Sequence, residues 1–378
     1  MLFRVPRLDD RDARALQEIE EMRTRLRHML RPELRWSGQL RRNLTARAIA
    51  GSNTIEGYAA SVDDVEALLS GEEPLDATEE TRAEVEGYQR AMTYIQGLSD
   101  AGEDFRYDTG LLNGLHFMMQ GHHVTKRPGR WRKGPVYVTS PEDPAVAAYT
   151  APEPARVPAL MGELVTWLNE GDIEAPVHVR ASMAHLNLVS IHPWPDGNGR
   201  MSRALSTLVF SREALMPAEF SSIEEWLGYG QNTYAYYGVL QQVGGPSWDP
   251  SRDAHAWIRF CLGAHHRQAQ MAGRRVDLYA RIWRELTELA EQAGLDERVA
   301  FALMPAAFGT KVRRPVYQHD ADISEQSAVR DLRELVAQGW LEPHGKARAR
   351  HYTAARRMAP ILENVTRTMP AYNDPYGR

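Results

Sequence analysis

Cysteine is nearly absent from this chain of 378 residues, because Cys261 is the only one. A single thiol excludes an intramolecular disulfide framework and any metal site built from several cysteines. No run of about 18 apolar residues occurs, so the sequence predicts no membrane-spanning helix and no membrane partner. The N-terminus also lacks the apolar stretch of a secretory signal, and we therefore expect a reducing, cytoplasmic setting.

An excess of basic charge is absent too. The chain has 45 Lys and Arg against 50 Asp and Glu, which gives a net charge of −5. This balance excludes a nucleic-acid-binding protein that is basic throughout, although it allows a local basic patch. Hydrophobic residues make up 43% and charged residues 25%, which are ordinary values for a globular protein. At this length we expect more than one domain.

Apolar residues recur at helical spacing along most of the chain, which predicts a mainly α fold. The character changes from Pro128 to Pro154, where turn signals surround the apolar residues Val136, Tyr137 and Val138. This pattern predicts a short strand in an exposed, hairpin-like flap.

The segment 309–358 is basic, with ten Lys or Arg against six Asp or Glu. Ser324 is a good N-cap for a helix, Gly339 would end that helix, and the residues that follow suggest two short strands. This order predicts a small winged helix-turn-helix module. Its wing residues Lys346, Arg348 and Arg350 could contact DNA phosphates; the alternative is a module for dimerisation or for target recruitment.

The most informative stretch is HPWPDGNGRMSR, which runs from His192 to Arg203. Its prolines should end the preceding helix near Ile191, and its two glycines open a new helix. Free N–H groups at a helix N-terminus favour a phosphate, so Gly197, Asn198 and Gly199 are candidate phosphate-binding residues.

Charged side chains of the same stretch fit this anion site. The guanidinium groups of Arg200 and Arg203 can each bind phosphate oxygens in a forked geometry. Asp196 is a candidate ligand for a Mg²⁺ ion that bridges to the phosphates. His192 titrates near neutrality and is suited to taking a proton from a hydroxyl.

The stretch resembles the signature of the Fic-domain family, with Trp194 in a position that is Phe in the family. The resemblance implies a Fic-type helical bundle that transfers AMP from ATP to a hydroxyl side chain of a target protein. The flap is similar to the family's target-binding flap, so Val136, Tyr137 and Val138 would hold the target backbone as an added strand. A downstream match to Asn-Arg-x-x-Tyr-Tyr-x-x-Leu implies that Tyr237 lines the base or ribose of the nucleotide.

A second motif bears on regulation. Ser52, Glu56 and Gly57 resemble the family's inhibitory sequence, Ser/Thr-x-x-x-Glu-Gly/Asn. The resemblance implies that Glu56 pairs with Arg203 and occupies the space that the γ-phosphate of ATP needs. Glutamate and phosphate can compete for one arginine because both are bidentate acceptors.

These observations predict four segments: an N-terminal helical region with the inhibitory helix, the catalytic core, a connecting helix and a winged-helix-like domain, at residues 1–105, 106–270, 271–295 and 296–378. Residues 1–290 would then hold every catalytic and inhibitory motif.

Three alternative functions stay open: removal of AMP, transfer of another phosphate-linked group, and a DNA-binding regulator with a decayed Fic domain. Assembly as a homodimer also stays open. Decay should erode the signature, and His192, Asp196 and Arg203 are all present.

Overall fold

The computed structural model describes most of the chain, namely residues 1–30, 34–98, 102, 104–139, 147–213, 217–366 and 371–377. The fold is mainly helical, as the sequence predicted, and it includes two short antiparallel hairpins. In chain order the helices are α1 (Asp10–Met29), α2 (Ser37–Ile55), α3 (Val62–Leu69), α4 (Glu79–Leu98), α5 (Thr109–Gln120), α6 (Val157–Glu170), α7 (Val177–Ile191), α8 (Asn198–Glu213), α9 (Glu224–Leu227), α10 (Gly230–Gly244), α11 (His255–Gln292), α12 (Ala300–Ala307), α13 (Arg314–Asp320), α14 (Glu325–Ala337) and α15 (Ala359–Thr366). The strands are β1 (Tyr137–Thr139), β2 (Ala147–Thr150), β3 (Leu341–His344) and β4 (His351–Ala354).

Helix α7 lies at the centre of the molecule and packs mainly against α8. It is buried on almost every face, including polar positions such as Asn187 and Ser190. Apolar residues of α7 and α8 form one core with α4, α5 and α6, and Trp194 of the connecting loop is fully buried in it. The loop at residues 192–197 is therefore held on both sides by well-packed helices.

Helix α11 is the longest element and has 38 residues. No proline interrupts it, and buried residues recur at helical spacing from Trp257 to Ala290. The helix crosses the predicted boundary at residues 270 and 271 without a break. The predicted core and the predicted connecting helix meet at this boundary, and backbone hydrogen bonding continues through it.

The C-terminal segment has the element order that the sequence suggested. Helices α13 and α14 are followed by the β3–β4 hairpin, in which Leu341 pairs with Ala354. Ser324 caps α14, since its side chain accepts a hydrogen bond from the Ser327 N–H at 3.2 Å. The assignment of this segment as a winged helix stays a prediction.

This C-terminal segment shares a hydrophobic core with the first two helices. Leu26, Trp36, Leu40 and Leu44 are buried in the same cluster as residues of α11, α12 and α14. Asp63 adds polar contacts, because it accepts a hydrogen bond from the Lys311 N–H at 2.7 Å and pairs with Arg313. The N-terminal and C-terminal segments therefore do not have separate cores, although the sequence pattern divided them.

A chain truncated after residue 295 is expected to unfold or to collapse without specific packing. Truncation would remove the residues of α12 and α14 from the core that they share with Leu26, Trp36, Leu40 and Leu44, and each large apolar side chain that loses its burial costs about 1.5–3 kcal/mol. A whole domain is stable by only about 5–15 kcal/mol. Circular dichroism during heating measures the effect, and replacement of Lys346 and Arg350 by alanine should leave Tm unchanged. A truncated chain that melts cooperatively at the Tm of the full chain would contradict the shared core.

The predicted flap contains the β1–β2 hairpin. Tyr137 pairs with Thr150 and Val138 pairs with Tyr149 across the two strands, so the predicted strand at 136–138 is shifted by one residue. Tyr137 and Val138 are exposed. Residues 140–146, between the strands, lie outside the described part of the chain. Among the described helices, none is both long enough and apolar enough to cross a membrane.

Candidate active site

The loop between α7 and α8 has the backbone that the sequence predicted. Helix α7 ends at Ile191, and His192 adopts a left-handed conformation with φ 52°. Gly197 also has a positive φ of 77°, which favours glycine because it has no Cβ. Helix α8 then begins at Asn198, so its N-terminus faces the space beside the loop.

Asn198 holds the loop closed. Its side-chain oxygen accepts from the Trp194 N–H at 3.0 Å, and its Nδ2 donates to the Trp194 carbonyl at 2.9 Å. Asn198 is buried and both ends of its amide are used within the loop. The side chain of Asn198 therefore holds the loop, as predicted, and a role of this residue at the phosphates of a nucleotide stays a prediction.

Trp194 anchors the loop in the core, as expected for a ring in the Phe position. Its Nε1 donates to Asn113 at 2.9 Å, and its ring stacks on His116 with 4.5 Å between the ring centroids. His116 accepts from the Gly129 N–H at Nδ1, which leaves Nε2–H to donate to the Asp196 carbonyl at 2.9 Å. Neither His116 nor Asn113 belongs to the signature, and no sequence signal pointed to them.

His192 lies in a geometry suited to a base. Its Nδ1 is 3.1 Å from the carbonyl oxygen of Val189. A carbonyl oxygen only accepts hydrogen bonds, so Nδ1 must carry the proton and donate it. In the neutral ring Nε2 therefore carries the lone pair. Burial is the main cause that lowers the pKa of His192, so the neutral form persists. Arg132 fixes the backbone here, donating from Nε to the His192 carbonyl at 2.7 Å.

Arg203 is paired as the inhibitory motif implied. It is buried and donates to Ser52 Oγ at 2.9 Å, to the Ser52 carbonyl at 3.1 Å and to Glu56 Oε1 at 2.7 Å. Burial lowers the pKa of Arg203, but the charge of Glu56 and other neighbours outweighs it and raises the pKa above its ordinary value. Gly57 follows with φ 89°, which ends α2 and leaves Glu56 at the helix end.

Gly199 makes room for the carboxylate of Glu56. A Cβ atom built on Gly199 would lie 2.4 Å from Glu56 Oε1, which is a steric overlap. The Glu56 carboxylate therefore lies directly against the first turn of α8. This is the position in which the sequence predicted phosphate oxygens.

Arg200 is held by an acidic residue that the sequence analysis missed. Its Nη1 donates to Glu84 Oε2 of α4, and its guanidinium lies 5.4 Å from the ring centroid of Tyr58. Both Arg200 and Glu84 are buried. Burial raises the pKa of Glu84, but the charge of Arg200 and nearby hydrogen bonds lower it overall. No motif marks Glu84, which lies 116 residues before Arg200.

Each signature arginine keeps one buried N–H without a partner among the described residues. These atoms are Nε of Arg200 and Nη1 of Arg203. A buried donor without an acceptor is costly, so an anion bound here would be stabilised. Neighbouring acids engage both arginines in this structure, and their binding of phosphate oxygens stays a prediction.

Asp196 lies beside this anion site. Its Oδ1 accepts from the Gly197 N–H at 2.7 Å, and Lys126 Nζ is 2.5 Å from Oδ2. Burial raises the pKa of Asp196, but the bonds from Lys126 and Gly197 outweigh it and lower the pKa. The carboxylate is 40% exposed, and Mg²⁺ commonly takes one or two carboxylates and completes its shell with phosphates and water. Asp196 fits such an ion if the Lys126 ammonium moves aside.

Tyr237 lies next to the inhibitory helix. Its hydroxyl donates to the Ile55 carbonyl at 3.1 Å, while 38% of its surface is exposed. Burial, together with the charge of Glu56, raises the pKa of Tyr237 to about 12. A partly exposed ring beside Glu56 could contact the base or ribose of a nucleotide, and that role stays a prediction.

The flap is tied to the same loop from its other side. The Tyr149 hydroxyl donates to the Ser190 carbonyl at 2.6 Å, and the Arg132 N–H donates to the Pro193 carbonyl at 2.9 Å. The exposed strand with Tyr137 and Val138 is thus held near His192. The structure therefore brings the flap, His192, Asp196 and both arginines around one loop.

Comparison with known proteins agrees with this geometry. Residues 107–210 match the sequence profile described as the Fic/DOC family. The chain contains a Fic domain. The matched range includes the flap and the whole signature from His192 to Arg203, whereas Glu56, Glu84 and Tyr237 lie outside it.

Relatives of this Fic domain are enzymes by name. The chain is 28% identical over 228 residues to "Protein adenylyltransferase Fic" of Aedes aegypti. The aligned region covers 60% of this chain and 40% of that protein. It is 28% identical over 213 residues to "Protein adenylyltransferase fic-1" of Caenorhabditis elegans, which covers 54% and 39% respectively. The chain thus spans about two fifths of the length of these relatives.

Solved Fic structures show the same fold. A Fic family protein from Desulfovibrio desulfuricans matches with a TM-score of 0.57 and 23% identity, covering 94% of this chain and 99% of that one. Fic-1 from C. elegans matches with a TM-score of 0.56 and 22% identity, covering 71% and 73%. The first match extends beyond residues 107–210, so most of this chain shares its fold with that solved protein.

Proposed function

We propose that this chain is a protein adenylyltransferase, which transfers AMP from ATP to a Ser, Thr or Tyr hydroxyl of a target protein, and that Glu56 inhibits it. The relatives named above support the reaction class. The observation that carries the proposal is the hydrogen bond of His192 Nδ1 to the Val189 carbonyl, which leaves the lone pair on Nε2, in the loop that leads into the N-terminus of α8. A base next to an anion site is what hydroxyl attack on a phosphate requires.

In the proposed reaction the target hydroxyl gives its proton to Nε2 of His192. Its oxygen forms a bond to the α-phosphorus of ATP, and the bond from that phosphorus to the pyrophosphate oxygen breaks. Pyrophosphate leaves with the electron pair, and AMP stays on the target. Arg200, Arg203 and the N-terminal N–H groups of α8 stabilise the charge on the phosphates.

The target backbone would add to the exposed β1 strand, so that its hydroxyl reaches His192. Tyr137 and Val138 are exposed on that strand and Val136 precedes it. Mg²⁺, when bound through Asp196, would supply charge neutralisation at the phosphates. We also infer that the protein works in a reducing setting. The thiol of Cys261 is buried, and burial raises its pKa to about 12, so this thiol is unreactive.

Asp196→Ala is expected to remove both the activity and its dependence on Mg²⁺. Asp196 is the only carboxylate in the signature loop, and loss of the metal ligand leaves the phosphate charge uncompensated. AMP transfer measured across a Mg²⁺ titration tests this. Asp172→Ala, at an exposed loop aspartate, is the control and should keep the wild-type response. Activity of Asp196→Ala that still rises with Mg²⁺ would place the metal elsewhere.

Mass spectrometry of the Glu56→Gly variant, incubated with ATP and Mg²⁺, tests the transferred group. AMP and phosphate, the groups that ATP can supply, differ in mass, so the adduct on the target or on the chain itself identifies the reaction. A protein that labels nothing under these conditions would favour a regulator with a decayed domain. The alternative reaction is removal of AMP, in which Glu56 positions the attacking water. It is tested by incubating a target that already carries AMP with the protein in the absence of ATP.

A further inference from the structure

A second group of potential metal ligands includes Glu84, the carboxylate that pairs with Arg200. Glu84 of α4 is fully buried, and Oε1 of this carboxylate is 2.8 Å from His123 Nε2 and 3.3 Å from His122 Nε2. The two histidines follow the end of α5, and their ring centroids are 4.2 Å apart. We call these three residues the Glu84 cluster.

The spacing of the Glu84 cluster suits a tetrahedral metal ion. All three ligand atoms lie within 4.8 Å of one another. Bonds of about 2.0–2.2 Å in a tetrahedron place neighbouring ligand atoms about 3.3–3.5 Å apart. The 3.3 Å from Oε1 to His122 Nε2 matches that value, whereas the 2.8 Å to His123 Nε2 is a hydrogen bond. An ion would replace this bond, and the His123 ring would move away from Oε1 to complete the geometry.

His122 has no other partner that would explain its position. Both of its ring nitrogens are buried and make no hydrogen bond to the described residues, because the approach of Nε2 to Glu84 lacks hydrogen-bond geometry. Buried imidazole nitrogens without partners are uncommon in folded proteins. A metal ion on Nε2 would satisfy this group.

We propose that Glu84, His122 and His123 bind a divalent transition metal ion of the Zn²⁺ type. Two imidazoles and one carboxylate are ligands that Zn²⁺ prefers, whereas Mg²⁺ prefers oxygen ligands alone. The site is distinct from Asp196, which lies in the signature loop and pairs with Lys126. Arg200 contacts Oε2 of Glu84 and leaves Oε1 for the ion.

The ion would add a bond between two helices that already pack together, α4 and α5. Glu84 lies in the second turn of α4, and the histidines lie in the turn after α5 that leads to Lys126. A metal bond between them would fix that turn against α4. The positive charge of an ion bound to Oε1 would also weaken the ion pair between Glu84 and Arg200. Arg200 is one of the arginines that the proposed reaction uses.

The alternative candidate site is less suitable. Asp9, Asp12 and His255 also lie together, but Arg259 donates to both aspartates and occupies the group as its cation. His255→Ala is therefore a matched control for the histidine variants. It removes one imidazole from a His and carboxylate group without touching the Glu84 cluster.

The test uses the full chain, stripped of metal and titrated with Co²⁺ or with Zn²⁺. We expect saturable binding of one ion, visible d–d absorption typical of tetrahedral Co²⁺, and a Tm that rises with Zn²⁺ concentration. His122→Ala and His123→Ala should each weaken binding at least about tenfold, as lost metal-site residues typically do. His255→Ala and Asp196→Ala should bind as wild type does.

Absence of a saturable Co²⁺ spectrum in the wild-type chain would overturn the proposal. Equal affinity of His122→Ala, His123→Ala and the wild type would do the same, since it would place the ion elsewhere. Circular dichroism of each variant without metal shows that it is folded. None of these readouts depends on AMP transfer, so the proposal can fail while the proposed function stands, and the reverse also holds.

Discussion

His192→Ala is expected to lower the rate of AMP transfer by about 10²–10⁴-fold, the usual contribution of a positioned general base. The alanine variant cannot take the proton from the acceptor hydroxyl. ATP binding should be unchanged, because His192 is proposed to act on the incoming hydroxyl, and among the described residues its side chain hydrogen-bonds to the Val189 carbonyl. Initial rates of transfer and a separate ATP-binding titration measure the two effects.

The exposed His28→Ala is the control for this variant, since it removes an imidazole from the surface of α1. Rates for His28→Ala should match the wild type. Full transfer activity of His192→Ala would exclude the role of base. Loss of ATP binding together with activity would indicate instead that the substitution disturbs the loop.

The pH dependence of transfer follows from the same environment. Burial lowers the pKa of His192, so its neutral, basic form survives at acidic pH values where an exposed histidine is protonated. Activity should fall only when the pH drops through this lowered pKa. The acid limb of the rate profile for the Glu56→Gly variant therefore lies below that of an ordinary histidine.

Glu56→Gly is expected to raise AMP transfer about ten- to a hundredfold over the wild type. Glu56 withholds Arg203 and lies against Gly199, in the space where we propose the phosphates bind. A charge-assisted hydrogen bond contributes about 1.5–3 kcal/mol, and each step of about 1.4 kcal/mol changes a rate about tenfold. Removing the pair frees both the arginine and the space.

Three further variants decide between inhibition and a structural role. Arg203→Ala should be inactive although it also breaks the pair, because ATP needs the arginine. The double variant should resemble Arg203→Ala, since the glutamate only competes for that group. Glu56→Gln keeps the size of the side chain and loses the charge, so its rate should lie between wild type and Glu56→Gly.

Transfer by all of these proteins is measured at one ATP concentration. Equal rates for wild type and Glu56→Gly would remove the inhibitory role. Glu56 would then be a residue that ends α2, or a group that positions water for removal of AMP. An active double variant would show that Arg203 is dispensable for the nucleotide.

Local features of the site could be predicted from the sequence. The prolines after His192 and the glycines before Arg200 determined where α7 ends and α8 begins, since backbone sterics act over a few residues. The positions of Ser324 and Gly339 determined the bounds of α14 in the same way. The pairing of Glu56 with Arg203 was also expected, but only because two motifs resembled those of one family.

Contacts between distant segments were decided by the tertiary structure alone. Glu84 has no motif around it. The packing of α4 against α8 brings it to Arg200, and the packing of α4 against α5 brings it to His122 and His123. The predicted boundary at residue 270 failed to separate two helices because α11 is continuous, and the N-terminal helices bury their apolar faces against the C-terminal segment. The physical reason is that a hydrophobic stripe specifies burial without specifying its partner, and a lone buried charge is paired only after folding brings the opposite charge to it.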